Sequence, residues 1–169
     1  MAITVLDSAT AMVNWLQTAT DATAIRAKVY GGATYILEAG DLTSSLLMTR
    51  LAARQAAAAA TPTVLNQVLF ITVHDAGEVI QQDLYCQRVI VRIIDNDRGY
   101  RNIETTRNLI LASFEDDALV LADIGTIGQG VVSLVYRSRT GYLQNRDYNA
   151  QFEALSFEGL VERENDNGS

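Results

Sequence analysis

Apolar positions recur along this chain in two periods. Ala9, Met12, Val13 and Leu16 stand at helical spacing, which predicts an amphipathic helix over residues 7–20 with Asp7 or Ser8 as its N-cap. The polar stretch Thr18–Thr23 breaks it. Ile25–Tyr30 reads as a short extended run closed by the turn signal Gly31-Gly32. Tyr35, Ile36 and Leu37 predict a short strand stopped by Gly40, after which Asp41 is placed to cap a helix from Leu42 onward. Ala52–Ala60 is rich in the best helix former but offers little apolar area, so a helix here needs neighbours or forms on assembly, with a loop as the alternative. Thr61-Pro62 ends it, because proline disfavours helical geometry in the residue before it.

From Val64 the period changes to two. Val68–His74 is β-branched and apolar, Asp75-Ala76-Gly77-Glu78 reads as a turn, and a longer strand is expected from about Gln82 to Asp95. There Tyr85, Val89, Val91 and Ile93 fall on one face, with Arg88 and Arg92 on the other. Asn96–Gly99 breaks the strand. Ile103, Ile110, Leu111 and Phe114 then give a helix an apolar stripe over Tyr100–Glu115, with Arg101, Glu104 and Arg107 outside it. Residues 116–129 read as an acidic, glycine-punctuated loop with a short buried piece at Ala118–Leu121. Val131–Arg137 is expected as a strand and Thr140-Gly141 as a bend. Asp147–Phe157 is expected as a last strand, with Tyr148, Ala150, Phe152 and Ala154 opposite Asn149, Gln151 and Glu153. Leu155 and Phe157 break that alternation, which predicts a bulge or a strand end buried on both faces.

This order gives an α+β fold: a mostly antiparallel sheet with helices packed on one face. The chain reads as one domain over residues 1–161 with an alanine-rich insertion at about 33–63, followed by a polar tail at 162–169 that is expected to be disordered.

Composition narrows the functional classes. Of the 169 residues, 49% are hydrophobic and 20% charged, as in ordinary globular proteins. The start of the chain has no basic segment of the signal-peptide kind and no apolar run reaches membrane-spanning length, so a cytosolic site of synthesis is expected. The formal net charge of −7 argues against non-specific nucleic-acid binding, which needs a basic surface to displace counterions, and no specific nucleic-acid binding is expected either.

Catalytic material is sparse. The single histidine, His74, is followed by Asp75, which in a strand points to the opposite face and is poorly placed to orient the ring. The single cysteine, Cys86, lies in a strand between Tyr85 and Gln87, a common setting for a small packed residue, and forms no disulfide within the chain. Asp116, Asp117 and Asp123 lack the ordered spacing of a calcium loop. Gly125, Gly128 and Gly130 form neither dinucleotide nor P-loop fingerprint, and the one lysine, Lys28, is far from them. No enzyme activity, cofactor or metal is expected.

The charge pattern points elsewhere. Twelve of the thirteen basic residues are arginine, the cation favoured at interfaces and in bidentate carboxylate pairs. Arg88 and Arg92 share a strand face, Arg137, Arg139 and Arg146 flank the bend, and Asp75 and Glu78 lie in the hairpin turn. These seven are the candidate interface residues, suited to joining copies of the chain by charge complementarity. The segments 33–63 and 75–82 are expected to carry partner contacts.

The hairpin Val68–Asp95, the helix Tyr100–Glu115 and two closing strands with an aspartate-containing turn, Val131–Phe157, together resemble the tail terminator (tail completion) proteins of long-tailed bacteriophages. The segments that carry this are Gln82-Asp83-Leu84-Tyr85, leading into the long strand, and Gly141-Tyr142-Leu143-Gln144-Asn145-Arg146-Asp147-Tyr148, leading into the last. Ile25–Tyr30, after a first helix, also fits, while residues 33–63 depart from the compact family pattern. The resemblance implies a virion structural protein. It would form a ring, a hexamer in that family, at the head-proximal end of the tail tube, stopping tube polymerisation and docking neck or head-completion proteins. Its partners would be itself, the tube protein and the neck, and DNA would pass through the ring. It would reside in the virion after assembly in the host cytoplasm. Another head–tail connector or neck component is the alternative. A small ligand-binding or enzymatic domain would instead show convergent polar groups in an apolar pocket.

Overall fold

The computed structural model describes residues 8–81, 84–96, 99–114, 119–120, 132–145 and 150–162. Its helices are α1 (Ser8–Thr18), α2 (Thr23–Arg26), α3 (Ser44–Ala58) and α4 (Tyr100–Ala112). Its strands are β1 (Ile36–Glu38), β2 (Phe70–Gln81), β3 (Leu84–Asn96), β4 (Leu119–Val120), β5 (Val132–Asn145) and β6 (Ala150–Glu162). The strands form one sheet in the order β1-β2-β3-β6-β5-β4. The β1–β2 pair is parallel, joined through α3, and the remaining pairs are antiparallel. The fold is α+β, as the two periods predict.

The principal core lies between one sheet face and helices α1, α2 and α4. Met12, Trp15 and Leu16 from α1, Ile25 from α2 and Ile103 and Ile110 from α4 bury against Ile71, Val73, Val89, Val91, Ile93, Leu155 and Phe157. Phe114, just past α4, joins the layers: its ring lies 6.1 Å from Trp15 and 4.8 Å from Phe157. A smaller cluster on the other sheet face brings Leu47 of α3 onto Leu69, Phe70, Ile94 and Ala150. One end of that second face is thus covered by α3, and the rest has no described helix over it.

The alanine-rich segment is helical, and arginines rather than alanines fasten it. Its N-cap is Thr43, not Asp41; the Thr43 hydroxyl accepts a 3.1 Å bond from the Leu46 amide. Arg50 and Arg54, one turn apart, are 8% and 1% exposed. The Arg50 guanidinium lies 3.2 Å from the Tyr35 ring centroid and donates to the Tyr30 carbonyl. Arg54 pairs with Asp95 at 2.7 Å and donates to the Gln67 carbonyl. The segment is therefore part of the packed body, and deleting Ala52–Ala60 would remove Arg54 along with the alanines.

Three local expectations change and a fourth is decided between its alternatives. Ile25–Tyr30 is not a strand: Thr23–Arg26 is helical, pinned by a 2.9 Å bond from Arg26 to the Leu16 carbonyl, and only Val29 makes an isolated bridge to Val68. Asp75–Glu78 is not a turn but a bulge within β2, where the register steps from Asp75↔Val89 to Glu78↔Gln87. Gly77 takes φ +118° there, and its amide donates to Asp75 Oδ1 at 3.0 Å. Thr140-Gly141 is likewise a bulge in β5, between Arg139↔Leu155 and Tyr142↔Glu153. Of the two alternatives for β6 the bulge does not form: the strand keeps unbroken register with β3 from Ala150 to Glu162, and the successive burial of Glu153, Ala154 and Leu155 shows it buried on both faces. Arg146 and the acidic and glycine positions from 121 to 130 lie outside the described residues, as do Asp116, Asp117 and residues 163–169. No helix among the described residues is long and apolar enough to cross a membrane.

Candidate interaction surface

The register assigns residues to the two faces of the sheet, since directly paired residues share a face. Thr72, Arg92 and Ala154 fall on the second face, the one only α3 partly covers; so do His74, Ile90, Ser156 and Ser138, and then Arg88, Glu158 and Val135. Arg88 is exposed and Arg92 half-buried, so the two arginines expected on one strand face are found together there.

Where this face meets α3 there is a half-open cleft of about 230 Å³. Leu47, Ile94, Ala150 and Phe152 line it, with Thr43, Ser44 and Leu42 at the helix start and Arg92 on the opposite wall. The Arg92 guanidinium sits 5.4 Å from the Phe152 ring centroid.

His74 neighbours Arg92 on this face. Burial pushes its pKa below the ordinary 6.5, the Arg92 charge adds to that, and Asp75 opposes it. The imidazole is therefore neutral at pH 7. Because the unfolded chain binds this proton more readily, the contribution of His74 is complete above pH 6.5 and is lost as the pH falls below it. The thermal midpoint of wild type should consequently drop more between pH 7.5 and 5.5 than that of His74→Gln. Parallel pH profiles would refute this origin.

The remaining candidates separate. Arg137, 52% exposed, donates to Glu158 at 2.9 Å on the second face. Arg139, 51% exposed, reaches Glu153 at 3.6 Å on the helix side of the sheet. Asp75 holds the β2 bulge. Glu78 lies in β2 opposite Gln87, and its side chain is outside the described residues. Asp75 and Glu78 thus lie along β2, flanked outside only by the short β1, and Arg137 and Arg139 along β5 at the other side of the sheet, flanked outside only by the short β4.

Two buried ionic clusters escaped the sequence reading. Asp95 at the end of β3 accepts from Arg54, from Asn102 Nδ2 at 2.8 Å and from the Asn96 amide at 2.7 Å. Gly99 is needed beside it, because a Cβ there would overlap the Asp95 carboxylate. Burial raises the Asp95 pKa, opposed first by Arg54 and then by these hydrogen bonds. The second cluster is Glu153, fully buried, which accepts from Arg107 at 3.1 and 3.3 Å. Next to it Tyr142 donates to the Tyr100 carbonyl at 2.9 Å, with the two rings 4.2 Å apart. Burial, then the neighbouring Tyr100 and Glu153, push the Tyr142 pKa up to about 12, so it remains a donor throughout the physiological range. The signal for Glu153 in the sequence is the parity it shares with Leu155 and Phe157, against which the polar run Asn149, Gln151, Glu153 points outward.

Among the described residues no three His, Cys, Asp or Glu side chains converge as a metal site. No model of a known protein family matches the chain, and no curated protein matches it.

Proposed function

We propose that this chain is a tail terminator of a long-tailed bacteriophage: a virion structural subunit that closes into a ring, stops tube polymerisation and presents a docking face to the neck. The reading rests on the run from Val68 to Phe157. Its hairpin, helix and two closing strands resemble that family, and they fold into one sheet in which β6 is inserted beside β3. Such a body suits a ring subunit because α1, α2 and α4 brace one face, leaving most of the other face and the outer strands for neighbours.

The test is light scattering on the purified chain, negative-stain imaging, and addition to polymerising tail tubes. Closed rings that bind tube ends and arrest elongation are the expected result. A tube protein would instead grow open stacks. A chain that stays monomeric and leaves tube length unchanged would sink the proposal.

A further inference from the structure

The two outer sides of the sheet are opposite in charge and matched in direction. On one side β1 pairs with β2 only at Ile71, Thr72 and Val73; from His74 to Gln81 no described strand pairs with that side of β2. On the other side β4 pairs with β5 only at Ser133 and Leu134; from Val135 to Asn145 no described strand pairs with the outer side of β5. Backbone N–H and C=O groups along such edges are templates for a further strand.

The β2 edge carries Asp75 and Glu78 and, from His74 to Gln81, no lysine or arginine. The β5 edge carries Arg137 and Arg139 and, from Val135 to Asn145, no aspartate or glutamate. β2 runs antiparallel to β3, β3 to β6 and β6 to β5, so β2 and β5 run antiparallel to each other. A second copy set beside the first, with its helices on the same side, therefore brings its β5 antiparallel to β2.

We propose that copies of this chain join through antiparallel pairing of the β2 edge of one subunit, His74–Gln81, with the β5 edge of the next, Val135–Asn145. This deepens the ring reading and rests on it. Pairing β2 with β2 sets acids against acids, and β5 with β5 sets arginines against arginines, so both two-fold arrangements are disfavoured. What remains is a head-to-tail contact, the kind that generates closed rings. Arg137 has a partner within the chain, but its pair with Glu158 is exposed enough to hold weakly and be exchanged for a neighbour's carboxylates, while Arg139 reaches the buried Glu153 only at 3.6 Å and Arg107 keeps that carboxylate paired if Arg139 turns outward. The bulges on both edges discourage indiscriminate strand addition and help fix the register of the intended one.

The experiment uses two charge-reversed forms of the full chain. Ala76→Lys/Glu78→Lys makes both edges basic, and Arg137→Glu/Ser138→Glu gives both an acidic excess. Each alone should self-associate about tenfold or more weakly than wild type. An equimolar mixture should recover assembly, because the two forms alternate with every contact matched. Far-ultraviolet circular dichroism checks that each form folds. As an independent measure, the double variant Ala76→Cys/Thr140→Cys, whose register sets His74–Gln81 against Val135–Tyr142 and clear of the β4 pairing, should form a disulfide ladder between copies under oxidation, with each single cysteine variant as the control for native Cys86. Rings that persist in both charge variants, or a mixture that recovers nothing while the cysteine pair fails to cross-link, would overturn the edge pairing and leave the ring reading standing. A wild type monomeric at every concentration and inert towards tubes would overturn both.

Discussion

Arg54→Ala is expected to destabilise the fold by about 3–5 kcal/mol, the usual result of removing one partner from a buried ion pair. Arg54 and Asp95 are 1% and 0% exposed and 2.7 Å apart, so truncation leaves a carboxylate without its cation and a void under α3. Because whole domains have only about 5–15 kcal/mol of stability, the variant stands at the margin of folding. Its loss should depend on pH in a definite sense. With the guanidinium gone, burial dominates the carboxyl and its pKa rises further above the unfolded 3.8. A raised carboxyl pKa gives stability that is complete below 3.8 and is lost as the pH rises through the folded value. The penalty of Arg54→Ala should therefore shrink as the solution is acidified. Urea titrations followed through Trp15, the single tryptophan and 4% exposed, would measure it. A loss under about 1 kcal/mol at neutral pH, in the range of an exposed pair, would show that the ion pair does not hold α3 down. Arg54→Met/Asp95→Asn should recover part of the loss, since neither partner is then left as an isolated charge.

The same pair shows what the sequence could and could not disclose. The alternation of Val89, Val91 and Ile93 against Arg88 and Arg92 is carried by residue type alone, and it matches the burial observed. The helix over the alanine-rich segment follows from propensity. Its anchorage does not, because Arg54 and Asp95 are distant in sequence and each reads locally as a solvated charge. Asp75–Glu78 and Thr140-Gly141 were misread for a different reason. A turn and a bulge ask for the same residues, a glycine able to take positive φ beside a side chain that can bond its own backbone. The length of the partner strand decides between them: β3 and β6 continue past both sites, so β2 and β5 buckle and carry on. The proposed interaction edges depend on this outcome, since turns at these positions would have ended the outer strands early.

Glu153→Ala is the other change with a large expected effect, again about 3–5 kcal/mol, because it leaves the buried Arg107 guanidinium with the longer 3.7 Å contact to the part-exposed Glu104 in place of its buried carboxylate. Glu153 is fully buried, and the Arg107 side chain that bonds both its oxygens is only 10% exposed. The polar run Asn149, Gln151, Glu153 suggested an outward face, yet Leu155 and Phe157 continue that same face into the helix-side core. β6 therefore presents one uninterrupted face in which a carboxylate stands where an apolar residue is usual, and Arg107 from α4 makes this tolerable. Glu153→Gln should lose less, about 1–3 kcal/mol, because an amide keeps one acceptor for Arg107 but gives up the charge. Denaturant titration gives the ordering, and amide exchange locates it: Glu153→Ala should speed exchange most in α4, which Arg107 ties to β6. If Glu153 instead faced water, alanine and glutamine would both fall within about 0.5 kcal/mol of wild type and α4 would exchange unchanged. That result would move the whole of β6 by one residue and turn Leu155 and Phe157 out of the core.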